Sequence, residues 1–117
     1  MSVAELIQWQ WEGYLRNHRA HANLMIHILA VPLFLAGNVT LIVALLRTSA
    51  LWATTGIIGM VVSMVLQGRG HRMEKNSPEP FTGVGNGLAR IFLEQWITFP
   101  RFVLSGRWAR ALRTPAD

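Results

Sequence analysis

The sequence predicts an all-α integral membrane protein: a transmembrane hairpin flanked by an N-terminal amphipathic helix and by C-terminal interfacial or re-entrant helices. Three observations carry that reading. Charged residues make up only 15% of the 117-residue chain, against about a quarter in soluble domains. Two long runs, Leu24 to Leu46 and Ala50 to Leu66, contain no Asp, Glu, Lys or Arg. The turn between them, "RTSA", is so short that the second run must return the chain to the side it left. A chain of this length is expected to form a single domain.

Ser2 to about Arg19 reads as an amphipathic helix. Leu6, Trp9, Gln10, Gly13 and Tyr14 recur near the helical period, and Ser2 and Glu5 have the spacing of a capping box. Trp9, Trp11 and Tyr14 suit the headgroup level, where amphipathic rings collect. The start carries acidic and no basic residues before its first apolar stretch, unlike a signal or transit peptide, so no cleavage is expected.

Leu24 to Leu46 is 23 residues, enough for a hydrocarbon core that takes about 20. Pro32 and the pair Gly37 and Asn38 interrupt it, which predicts a kinked helix. Ala50 to Leu66, with 17 residues, lies at the short end of the spanning range, and Gly56 and Gly59 would let another helix approach closely. Arg16 and Arg19 precede the first run, Arg69, Arg72 and Lys75 follow the second, and Arg47 stands alone in the turn. The positive-inside rule then puts both termini in the cytoplasm, with a bacterial inner membrane as the expected location.

"NSPEPFTGVGNG" is a loop by its Pro, Gly and Asn content. "LARIFLEQWITFPRFVLSGRWARAL" mixes aromatic and aliphatic residues with Arg90, Glu94 and Arg101, too charged for a comfortable span. It reads as an interfacial helix or re-entrant pair broken at Pro100, with Arg107, Arg110 and Arg113 against anionic lipid.

Several function classes fall away on composition. Without cysteine there is no disulfide, thiolate metal site or cysteine nucleophile. "GVGNG" has no preceding strand and no following Lys-Ser/Thr, so it is turn chemistry rather than a phosphate loop. Ser63 and Ser105 lack nearby Asp or His partners. The net charge of +5 is compatible with nucleic acid, but the Trp and Leu interleaved in the basic tail favour lipid as partner.

The histidines are harder to dismiss. His18, His21 and His27 lie at the edge of the first apolar run and His71 just after the second, so the hairpin puts all four on one membrane side, where polar groups need a partner or a cavity. Asn23 and His27 share a helical face, as do His71 and Glu74. His18 and His27 are about half a turn out of phase on an unbroken helix, so if both bind one ion the chain must bend between them or His18 must reach in from a preceding loop. Neutral imidazoles with carboxylate support suit Fe, Zn, Mn or Ni. Glu74 either ligates or orients a histidine, and Asn23 has the same two options.

The blocks "YLRNHRAHANLMIHILAVP", "QGRGHRMEKNSPEPF" and "RIFLEQWITFPRFVLSG" resemble the small membrane protein family that includes the fungal 2-hydroxy fatty acid dioxygenase of alpha-oxidation, in a bacterial form. The resemblance runs from about Tyr14 to Gly106. It implies an Fe(2+)-dependent enzyme that takes a 2-hydroxy fatty acid and dioxygen and shortens the acid by one carbon. His18, His27 and His71 are then expected to hold iron, with Glu74 and Asn23 supporting catalysis and Arg69 or Arg72 attracting the substrate carboxylate. His21 stands where relatives often have proline and is expected outside the ligand set. A non-catalytic scaffold or lipid-binding protein, and a zinc-dependent membrane hydrolase, are the alternatives.

Overall fold

In the computed structural model, which describes residues 1–116, the capping box at Ser2 forms as its spacing predicts. The Ser2 hydroxyl accepts from the Glu5 N–H at 3.1 Å and the Glu5 carboxylate accepts from the Ser2 N–H at 3.0 Å. The helix it starts, α1 (Val3–Gly13), ends well before Arg19. A single 3₁₀ turn, Leu15–Asn17, follows, and His18 leaves helical geometry altogether, with φ −138° and ψ 59°. The bend that the histidine spacing demanded therefore lies between Asn17 and His21, where no proline is present.

Two long helices form the hairpin, α2 (His21–Leu46) and α3 (Ala50–Arg72). Pro32 lies inside α2 without ending it. The tight turn is made by Thr48 in the left-handed region, φ 49°, and by Ser49, whose hydroxyl caps α3 at the Trp52 N–H. The hairpin closes where two glycines meet. A Cβ on Gly37 would lie 2.7 Å from the Gly56 carbonyl oxygen, and one on Gly56 2.8 Å from that of Gly37. Backbone thus packs on backbone at this point. A Cβ on Gly59 would meet only ordinary van der Waals neighbours. Residues such as Leu29, Ile42, Leu51 and Ile58 leave the outer flanks of both helices apolar and exposed. Each helix is long and apolar enough to cross a membrane.

The C-terminal stretch is helical through Pro100, not broken there. It comprises α4 (Val84–Leu93), a π-helical turn (Glu94–Thr98), α5 (Phe99–Leu104) and α6 (Arg107–Arg113). Proline has no N–H to donate, and its ring crowds the preceding turn. The wider π turn immediately before it absorbs that misfit, with the Phe99 N–H bonding the Glu94 carbonyl five residues back. The chain direction changes instead at Gly106, whose φ of 84° is a conformation that glycine adopts without strain.

This stretch packs into the molecule rather than beside it. Phe99, Phe102 and Ala111 join Tyr14, Leu24 and Val31 in the core. The Gln67 and Gln95 amides exchange two hydrogen bonds of 2.8 Å, both side chains being buried. The Trp96 indole donates to Asn38 at 3.0 Å and the Trp108 indole to the Leu24 carbonyl at 2.9 Å. The Thr98 hydroxyl bonds Gln10 of α1. The π turn is consequently tied to α1, α2 and α3 at once.

Candidate metal centre

Three histidines reach one point from three segments. His18 stands in the bend, stacked on Tyr14 with ring centroids 3.8 Å apart. His27 projects from the second turn of α2. His71 arrives because α3 continues past Leu66 as far as Arg72, and Gly70 lets that last turn lie against α2, since a Cβ there would strike Asn23. The three imidazoles meet edge to face, with centroids 4.8, 4.8 and 5.0 Å apart. Glu94, first residue of the π turn, completes the group: one ligand atom from each of the four residues lies within 4.8 Å of all the others.

The ring orientations are set by backbone. His18 Nδ1 lies 2.8 Å from the Tyr14 carbonyl and His27 Nδ1 3.1 Å from the Asn23 carbonyl. Each Nδ1–H donates to its carbonyl, so the Nε2 lone pairs turn inward. Glu94 Oε2 sits 3.3 Å from His18 Nε2 and 3.7 Å from His27 Nε2, and it accepts from the Tyr14 hydroxyl at 2.7 Å. Lone pairs facing a carboxylate oxygen repel unless a cation lies among them. His18 Nε2, His27 Nε2 and His71 Nδ1 are buried with no hydrogen-bond partner, at a cost of roughly 1–3 kcal/mol for each such group. One divalent ion would satisfy them together, and three imidazoles with a carboxylate are a donor set that first-row metals accept. Burial alone would raise the Glu94 carboxyl, but positive charge on the histidines, His18 first with His27 and His71 behind it, draws it down to about 2, and a metal cation held by their lone pairs would act in the same sense. Burial, then the Glu94 charge, pushes the Tyr14 phenol well above its usual value, so it remains a donor.

The other expected site residues lie around this group. Glu74 is beyond the end of α3, not on a shared helical face with His71. Its Oε1 accepts from the backbone N–H groups of Arg19 at 2.9 Å and Ala20 at 3.1 Å, and its Oε2 accepts from the Asn23 amide at 2.6 Å. It ties the end of α3 to the start of α2, and Asn23 supports His27 through its carbonyl. Neither is one of the four clustered residues. His21 is exposed, its Nε2 lying 2.7 Å from the Thr114 carbonyl. Arg69 and Arg72 are exposed on α3.

Sequence reasoning missed Glu94 and Tyr14 as site residues. The signal for Glu94 was available: it is a carboxylate within "RIFLEQWITF", where an ionisable group among apolar residues calls for a partner. A cavity of about 360 Å³ reaches the group, with His18, His71 and Glu94 on its lining beside Trp9, Met64, Phe81 and Ile91. It joins a polar, metal-competent end to an apolar wall.

No curated protein and no solved structure matches the chain. A family model does, over residues 4–101, a span that includes all four clustered residues. The chain belongs to the Mpo1-like family, described as 2-hydroxy-palmitic acid dioxygenase Mpo1-like.

Proposed function

We propose that the chain is an iron(II)-dependent dioxygenase that shortens 2-hydroxy fatty acids by one carbon, seated in a membrane by its hairpin. The observation that carries this reading is the convergence of His18, His27, His71 and Glu94 at a cavity with an apolar wall, in a chain whose family name is that of a dioxygenase. These four residues would hold the metal, and bound iron(II) would supply the activation of dioxygen.

The protein's own groups do the rest. The carbonyls of Tyr14 and Asn23 fix two imidazoles with Nε2 inward. The Tyr14 hydroxyl holds Glu94 Oε2 in place, as groups behind a metal ligand commonly do. Asn23 and Glu74 act as positioning residues, holding the bend that delivers His18. Trp9, Met64 and Ile91 offer an apolar lining along which an acyl chain can lie while water is excluded. The exposed apolar flanks of α2 and α3 suit lipid, and the distribution of Arg and Lys favours cytoplasmic termini in a bacterial inner membrane.

The test is anaerobic purification with Fe(II) followed by 2-hydroxypalmitate and air. Oxygen uptake matched by an odd-chain acid one carbon shorter is expected. No uptake and no shortened acid from an iron-loaded sample would refute the assignment. Stoichiometric zinc with hydrolysis in place of oxygen uptake would favour the hydrolase.

A further inference from the structure

Two arginines line the cavity that reaches the histidines, Arg16 and Arg90, and their guanidinium groups are differently occupied. Arg90 donates from Nη2 to the Glu79 carbonyl at 2.7 Å and from Nη1 to the Pro80 carbonyl at 3.1 Å. It also lies over the rings of Trp9 and Phe81, 4.9 and 4.6 Å from their centroids. Its donors are engaged in holding the chain at Glu79 and Pro80. Arg16 is exposed, and among the described residues no hydrogen bond or ion pair engages its guanidinium.

The place of Arg16 is nonetheless defined. Its guanidinium lies back over Gly13, where a Cβ would come within 3.3 Å of Nη2. Gly13 is the last residue of α1, and the carbonyl end of a helix favours a cation. Arg69 and Arg72, which the sequence suggested for the substrate's charge, do not line this cavity. The cavity thus has Arg16, with its unengaged guanidinium, on the same lining as His18 and His71, beside an apolar wall of Trp9, Met64 and Ile91.

We propose that Arg16 binds the carboxylate of the substrate and that Gly13 keeps the space its guanidinium uses. This rests on the reading of the chain as a 2-hydroxy fatty acid dioxygenase and adds the residue that recognises the acid group. A guanidinium presents paired donors that match the two oxygens of a carboxylate.

The test is calorimetry on metal-free protein in detergent with 2-hydroxyoctanoate and with 1,2-octanediol, which keeps the hydroxyl and the chain but lacks the charge. Wild type is expected to bind the acid more tightly than the diol. Arg16→Gln should weaken the acid by about tenfold and leave the diol unchanged, with Arg16→Lys in between. The double variant Arg69→Gln, Arg72→Gln should change neither. The proposal is overturned if Arg16→Gln binds the acid as wild type does, if the Arg69/Arg72 variant shows the loss instead, or if wild type does not distinguish acid from diol. Iron content and product formation by wild type are scored separately. A charge preference that depends on Arg16 in a protein without iron or product would preserve the anion site and remove the dioxygenase reading.

Discussion

At the scale of single residues, the candidate site depends on what lies behind each clustered side chain. Tyr14 stacks on His18 and donates to Glu94, so Tyr14→Phe keeps the stack and removes only the hydroxyl. Metal affinity should fall about 10–100-fold, the usual effect of losing a group behind a ligand, measured by competition with a calibrated chelator. Unchanged affinity would mean that Glu94 needs no such support. His21→Ala should keep its metal, because the ring is engaged with the Thr114 carbonyl away from the cluster. The histidines were legible in the sequence because imidazoles at the edge of an apolar run need a reason. Glu94 was marked only as a carboxylate among apolar residues, since nothing in the spacing says that its helix returns to the histidines. Glu74 looked suitable by its place three residues after His71, but α3 ends between them, and two backbone N–H groups and the Asn23 amide take up its carboxylate.

At the scale of elements, the π turn makes the site possible. Glu94 and Phe99 both approach His27, the carboxylate at 3.7 Å and the ring with centroids 5.9 Å apart. Five residues along a regular α-helix would separate their directions by about 140°, whereas the i+5 pattern brings them to one side. Deleting Ile97, an exposed residue of that turn, should convert it to α-helix and take Glu94 or Phe99 off the site. Near-native helicity by circular dichroism with strongly weakened metal binding is the expected outcome. Retention of the metal would mean that the turn does not set Glu94. At the hairpin crossing, Gly56→Val must push apart two backbones already in contact. It should destabilise by about 1–3 kcal/mol or more, read as a lower midpoint in denaturant. The sequence marked Gly56 as a contact but offered Gly37 and Pro100 as interruptions. The partner that accommodates Gly37 is Gly56, on the other helix of the hairpin, whereas Pro100 is accommodated by the π turn just before it, whose wider hydrogen-bond pattern leaves no mark in the apolar spacing.

Across the whole molecule, the candidate centre lies where the bend after α1, the start of α2, the end of α3 and the π turn meet. The sequence supplied the hairpin and the side on which the histidines gather, because apolar run length and turn length are local quantities. It did not supply the closing of the C-terminal helices onto that end, which depends on tertiary bonds such as Gln67 with Gln95 and Trp108 with Leu24. The most direct measurement is therefore the metal content of detergent-purified protein, by elemental analysis, in wild type and in the alanine variants of His18, His27, His71 and Glu94, each checked for native helicity. One iron per wild-type chain, with most of it lost in each folded variant, is expected. A wild-type protein without stoichiometric metal, or folded variants that keep it, would contradict the metal centre and leave a membrane scaffold in its place.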